Sequence, residues 1–184
     1  QSEYQIKRSM FNFGSRYTNH NVYGNFYSGN INFGHALTDK TKFILSISKS
    51  FRSPDGTDLY GYGGNSNLDP EESINSEVSF KTKLSNNNGL IITLFNNNIK
   101  NLIESNGTTM QNINKAKIQG LEMTYYDKYR NLDYKFDYTL LNAKDVNNNT
   151  DLSRRPKNKL TSKINYNFKN NHKLGISMIS SRFH

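Results

Sequence analysis

Between Leu132 and Leu140 the chain alternates without interruption, setting Leu132, Tyr134, Phe136, Tyr138 and Leu140 against Asp133, Lys135, Asp137 and Thr139. A period of two lines one face of an extended strand with apolar groups and the other with polar ones, whereas a helix would scatter both sets around its axis. Leu160, Ile164, Tyr166 and Phe168 stand in the same way against Lys159, Thr161, Lys163, Asn165 and Asn167, and Phe43, Leu45, Ile47 and Phe51 against Lys42, Ser46, Ser48 and Ser50. The pattern returns from Tyr27 to Leu37, Ile74 to Leu84, Leu121 to Tyr125 and Leu174 to Met178. Gly89 to Ile99 is apolar on both faces for part of its length and fits less cleanly.

Nine strands follow: Met10 to Tyr17, Asn25 to Leu37, Thr41 to Phe51, Ser73 to Leu84, Gly89 to Asn101, Ala116 to Tyr126, Leu132 to Ala143, Lys159 to Phe168 and Lys173 to Ser181. Most are long. Strands of ordinary sheets average about five or six residues, whereas about 9 to 11 residues tilted by about 45° cross a bilayer. The connections alternate too: Thr38 to Lys40, Ser85 to Asn88, Asp127 to Asn131 and Lys169 to Asn171 are tight, while Arg52 to Glu72, Leu102 to Lys115 and Lys144 to Asn158 are long and polar. Short turns at one end and long loops at the other mark an outer-membrane β-barrel. A soluble β-sandwich or solenoid also alternates, but strand length and loop asymmetry argue against it.

Composition agrees once the barrel is considered. Only 34% of residues are hydrophobic and 29 are Asn, a balance that suits disorder, yet twelve Tyr and eleven Phe are more strand-forming material than a disordered chain carries. In a wide barrel only the lipid face needs to be apolar, since the other lines a watery or plugged lumen. No run approaches the roughly 18 apolar residues of a spanning helix, so a helical membrane protein is excluded. The absence of Cys excludes disulfides, thiolate metal sites and a Cys nucleophile. Gln1 opens the chain without a charged and apolar leader, so it reads as a mature product or, the favoured reading, as a piece of something longer. The net charge of +9 is spread along the chain, with no recognition-helix or base-stacking motif beside it, which disfavours nucleic acid as a partner. His20, His35, His172 and His184 lack metal-ligand spacing and no Ser/His/Asp set accompanies them, so an enzyme is not expected.

Three segments carry a family likeness. Phe51-Arg52-Ser53-Pro54 leads through Leu59-Tyr60-Gly61-Tyr62-Gly63 to Gly64-Asn65-Ser66-Asn67-Leu68-Asp69-Pro70-Glu71. This resembles the TonB-dependent outer-membrane receptors, in which an aromatic-basic-x-Pro strand end leads to G-N-P-N-L-x-P-E; Ser66 stands where the family usually has Pro. Asn114 to Glu122 is similar to the family's N-x-x-K-A-x-I-x-G-V-E strand, and Leu152-Ser153-Arg154-Arg155-Pro156-Lys157-Asn158-Lys159-Leu160 to its L-x-R-R-P-x-x-K-L segment. Within the family the three together resemble most the cobalamin (vitamin B12) transporters, through Leu59 to Gly63 and the Arg154-Arg155 pair.

The resemblance implies an all-β fold, an antiparallel transmembrane barrel of about 22 strands with a plugged lumen, of which these residues form roughly strands 11 to 19. It implies one partial barrel domain over residues 1–184, with the plug, its TonB-binding box and the final strands outside the sequence. The expected function is a share in cobalamin import across the outer membrane of a Gram-negative bacterium, with cobalamin as substrate and neither cofactor nor metal. The alternative is an iron-siderophore receptor; a rival of another class is a soluble basic β-protein that binds nucleic acid. Expected partners are outer-membrane lipid and lipopolysaccharide, TonB through the plug, and cobalamin or siderophore.

For the site, the resemblance places Arg154 at the extracellular mouth, where a guanidinium donates to ligand oxygens; the alternative pairs Arg154 and Arg155 with lipopolysaccharide phosphates or plug carboxylates. Tyr60 and Tyr62, aromatic with polar tips in a Gly-rich loop, suit ligand contact and equally suit packing of the loop on itself. Gly120 admits a plug or a neighbouring backbone, and Glu122 points to a plug cation, unless both reflect simple pleat alternation. Pro70 starts a strand, within a family motif of Gly64, Asn65, Asn67, Leu68, Pro70 and Glu71.

Overall fold

The computed structural model describes residues 2–169 and 172–183; the expected turn from Lys169 to Asn171 falls partly outside them, as do Gln1 and His184. Eleven strands make one sheet. They are β1 (Ser2–Ile6), β2 (Ser9–His20), β3 (Gly24–Ala36), β4 (Thr41–Arg52), β5 (Glu71–Lys83), β6 (Asn88–Ser105), β7 (Met110–Tyr129), β8 (Leu132–Asp145), β9 (Thr150–Asp151), β10 (Asn158–Asn167) and β11 (Lys173–Arg182). A five-residue helix, α1 (Gly56–Tyr60), lies between β4 and β5. The order is that of the chain, β1 through β8, then β10 and β11, all antiparallel, with β9 paired to the end of β8. The fold class is as expected: an all-β antiparallel meander, open at β1 and β11.

The nine expected strands are β2 to β8, β10 and β11, and the short β1 and β9 add to them. One connection differs outright. Leu102 to Lys115, expected as a long loop, belongs to β6 and β7, which continue as a hairpin to a turn at residues 106–109. β6 has 18 residues and β7 has 20. At about 3.4 Å per residue and a tilt of about 45°, β7 rises about 45 Å, which carries it well past a hydrocarbon core of about 30 Å. Beyond that core neither face meets lipid, so the alternation that marks a strand there fades.

Register sorts the side chains into two faces. On the outward face Phe11 opposes Phe33, Phe33 opposes Leu45, Phe43 opposes Phe80, Phe80 opposes Ile92, Ile92 opposes Met123 and Met123 opposes Tyr138. Aromatic and branched pairs of this kind are what stabilise a ladder, by roughly 0.2–1 kcal/mol each. Many of these groups are bare to the surroundings, Tyr27 by 70%, Leu94 by 56% and Ile176 by 72%. So broad an apolar face demands a cover. The inward face is polar and cross-linked: Asn30 and Asn32 both donate to Asn12, Ser46 donates to Asn32, Ser79 meets Thr93 and Thr124 donates to Asp137.

The tight turns lie at one end of the sheet and bond to their neighbours there, Ala36 N–H to Arg8 O at 2.8 Å, Lys83 N–H to Lys40 O at 2.8 Å, Lys128 N–H to Asn87 O at 3.1 Å and Asn167 N–H to Asn131 O at 2.8 Å. At the other end stand the turn at 21–23, the long connection 53–70, the β6–β7 tip and the long connection 146–157.

Candidate functional site

The site is built at the long-connection end, on a clamp around Arg52. After buried Pro54, Asp55 caps α1, accepting from Thr57 N–H at 2.8 Å and Asp58 N–H at 2.9 Å, while Asp58 accepts from Asp55 N–H at 3.1 Å. This reciprocal box satisfies donors that so short a helix would leave open. It also fixes Asp58, 9% exposed, where the Arg52 guanidinium reaches it at 2.7 Å. Arg52 donates as well to Glu71 Oε1 at 3.1 Å, and that oxygen accepts the backbone N–H of Ile103 at 2.7 Å. Hydrogen bonding to Glu71 foremost, then to Asp58, raises the Arg52 pKa above its ordinary value against the opposing pull of partial burial. One carboxylate therefore ties both ends of the loop to β6.

The family motif continues that work. Asn65 donates its N–H to Asp58 O at 2.9 Å and its side-chain amide to Met110 O at 3.1 Å, and its Oδ1 accepts from Asn67 N–H at 2.9 Å. Gly63 adopts φ 71° and accepts Met110 N–H at 2.7 Å; a side chain there would strike Thr108 O. A Cβ on Gly64 would lie 2.8 Å from Tyr60 N, against the end of α1. Leu68 is 2% exposed, Pro70 immediately precedes β5, and Asp69 exchanges hydrogen bonds with Asn112, which also donates to Asn101 O. Of the motif residues, Asn65 and Glu71 seat the loop on the β6–β7 hairpin, Gly64 and Asn67 shape the loop itself, Leu68 is buried and Pro70 leads into β5.

The hairpin is braced from its other side by the segment after β8. Leu152 donates its N–H to Ala143 O at 2.9 Å and is buried over Ile99, Leu102, Ala116 and Ala143. Asp151 sits between Lys144 at 2.9 Å and Lys157 at 3.0 Å, and their hydrogen bonds lower its carboxyl to about 2. Arg155 donates to Glu104 at 2.6 Å and to Ser153 O at 3.0 Å. The reason is local: β6 runs far enough to present Glu104 beside the segment. Arg154, by contrast, is exposed, holds φ 56° and makes no ion pair among the described residues.

Tyr60 and Tyr62 are 78% and 108% exposed, and neither ring meets another among the described residues. Glu122 lies on the polar face between Thr93 and Thr139, also without an ion pair among the described residues. Gly120 is on that face too, but its space is taken within the sheet: a Cβ would strike Leu140 O and lie 2.9 Å from the ring of Phe95, its partner on β6. A neighbouring backbone thus lies close to Gly120, with the Phe95 ring beside it. Arg52, Asp58 and Glu104 were not singled out from sequence as site residues; the D-x-x-D spacing of Asp55 and Asp58 carried a capping signal, whereas nothing local announced the Glu104 pairing.

An antiparallel meander with one apolar face, one polar face and a folded rim has the make-up of a transmembrane β-barrel wall. Residues 1–183 match the family described as TonB dependent receptor-like, beta-barrel, and the chain belongs to that family. It is similar in structure to the ferric enterobactin receptor PfeA of Pseudomonas aeruginosa, with a TM-score of 0.78 and 22% identity over 96% of this chain and 30% of that one. The siderophore receptor PirA of Acinetobacter baumannii gives 0.77 and 19% over 97% and 32%, and the copper transporter OprC gives 0.70 and 14% over 88% and 30%. The chain therefore spans about 30% of the length of the first of these receptors.

Proposed function

We propose that these residues form part of the wall and rim of an outer-membrane importer for a ferric siderophore or similar metal chelate, energised through TonB. The observation that carries the reading is the division of labour at the rim: Arg52 and Arg155 are consumed in ion pairs, while Arg154, Tyr60 and Tyr62 are presented on the same braced end without an ion pair or ring contact among the described residues. A guanidinium and two phenols suit an anionic chelate with flat rings, through charge-assisted hydrogen bonds and ring contacts. The names of the similar structures, two siderophore receptors and a copper transporter, support this class over cobalamin. Cobalamin rests on the Leu59 to Gly63 and Arg154-Arg155 likeness alone and takes second place. Glu122, on the inward face, is proposed to meet a plug.

Binding isotherms on the folded, complete parent protein test the ligand. Saturable binding of a ferric siderophore with none of cobalamin is the expected result, and the reverse would restore cobalamin. Sidedness has its own measurement. Single cysteines at Asn106 and Asn148 should react with an impermeant maleimide on intact cells, and cysteines at Asp39 and Asn87 should not; the opposite pattern would invert the barrel and sink the rim as a site of capture.

A further inference from the structure

The outward face changes character where it leaves the apolar band. One transverse row holds Val78, Leu94, Leu121 and Leu140, and the next holds Ser76, Asn96, Gln119 and Asn142. Above these come Ile74, Asn98, Lys117 and Lys144, then Glu72, Lys100 and Lys115. Two lysine pairs thus stand directly opposite each other in adjacent rows of one face, Lys100 with Lys115 and Lys117 with Lys144. Like charges so placed destabilise a ladder. The carboxylates at hand relieve only part of this: Glu72 engages Lys49 at 3.0 Å, and Asp151 holds Lys144 and Lys157. Lys100, Lys115 and Lys117 make no ion pair among the described residues. With Ile74 and Val146 they border a cavity of about 450 Å³.

We propose that this outward lysine patch binds the phosphates of a membrane lipid whose acyl chains lie on the apolar band beneath it. Depth and charge both fit. Rows two residues apart are about 6.8 Å apart along a strand, so at a tilt of about 45° the two lysine rows stand about 10 and 14 Å above the leucine row. The amide row between them falls at the edge of the hydrocarbon, and the lysine stems extend along the surface into the headgroup layer. Three unengaged cations within two rows call for a headgroup with more than one phosphate, and the continuity of the patch with the lipid-facing band favours a lipid over a soluble anion.

The proposal rests on the barrel reading above, and the test keeps the two apart. The complete parent protein, refolded free of lipopolysaccharide, is placed in phosphatidylcholine nanodiscs doped with diphosphoryl lipid A, and the lipid A retained per barrel is counted by native mass spectrometry. Failure of the unmutated barrel to insert would sink the barrel reading itself. In inserted barrels the K100Q/K115Q/K117Q variant should retain at least fivefold less lipid A, while K159Q/K163Q, on the opposite face, should match the unmutated protein. Equal retention by the first variant, or equal loss in the second, would overturn the patch. Displacement of lipid A by inorganic phosphate at matched concentration would make it a site for free anions and overturn the lipid assignment.

Discussion

Replacing Glu71 with alanine in the complete receptor should free the 53–70 loop while leaving the barrel assembled. Glu71 Oε1 accepts two donors, the N–H of Ile103 and the guanidinium of Arg52. Ile103 is 7% exposed, so its N–H would be left buried without a partner, at a cost of roughly 1–3 kcal/mol. The Arg52 side chain is 44% exposed, and solvent screening holds the lost ion pair to about 1 kcal/mol or less. Together these weaken the loop's hold by roughly 1–4 kcal/mol, enough to speed local opening from about fivefold to several hundredfold. Hydrogen exchange at residues 58–65 and 103–110 reads this, with heat-modifiable migration reporting on the barrel. Glu71→Gln keeps an acceptor oxygen and should show a smaller effect. Unchanged exchange in Glu71→Ala would mean that the other contacts of the motif hold the loop unaided.

The clamp shows where sequence reasoning reached and where it stopped. Strands such as β8 and β10 were legible because a bilayer enforces alternation on every residue that crosses it, so Leu132 to Leu140 can be read without a partner strand. Leu102 and Ile103 escaped for the complementary reason. They are adjacent, both buried, and follow Asn101 at φ 55°; Leu102 packs in one cluster with Leu152, and the Ile103 N–H is taken by Glu71. Their burial comes from tertiary contact, which breaks a period of two. The helix α1 was more accessible, since Asp55 and Asp58 stand at capping-box spacing, but a loop rich in Gly and Pro drew the reading elsewhere.

Charge was the least legible quantity. Along the chain Lys100, Lys115, Lys117 and Lys144 are scattered among polar residues, and only the pairing of β6 with β7 and of β7 with β8 gathers them on one face. The same holds for the two arginines. Neighbours in sequence and alike in chemistry, they are separated by Glu104, which lies 51 positions from Arg155 and leaves Arg154 to the solvent.

That separation sets up the largest functional effect expected of a single change. Arg154→Ala in the parent receptor should weaken ferric siderophore binding about ten- to a hundredfold, the loss of a charge-assisted hydrogen bond worth roughly 1.5–3 kcal/mol. The backbone sharpens the test. Arg154 holds φ 56°, a region that costs a residue with a Cβ roughly 1–2 kcal/mol and glycine nothing. Arg154→Gly should therefore lose affinity as Arg154→Ala does while making the 146–157 segment more resistant to exchange, so that a binding defect cannot be laid to a loosened loop. Arg155→Ala should behave oppositely: it strands the Glu104 carboxylate, 14% exposed, raises exchange across 146–157, and lowers affinity only as far as the rim is disordered. Undiminished siderophore affinity in both Arg154 variants, on intact barrels, would remove Arg154 from the binding site and leave Tyr60 and Tyr62 as its only proposed members at the rim.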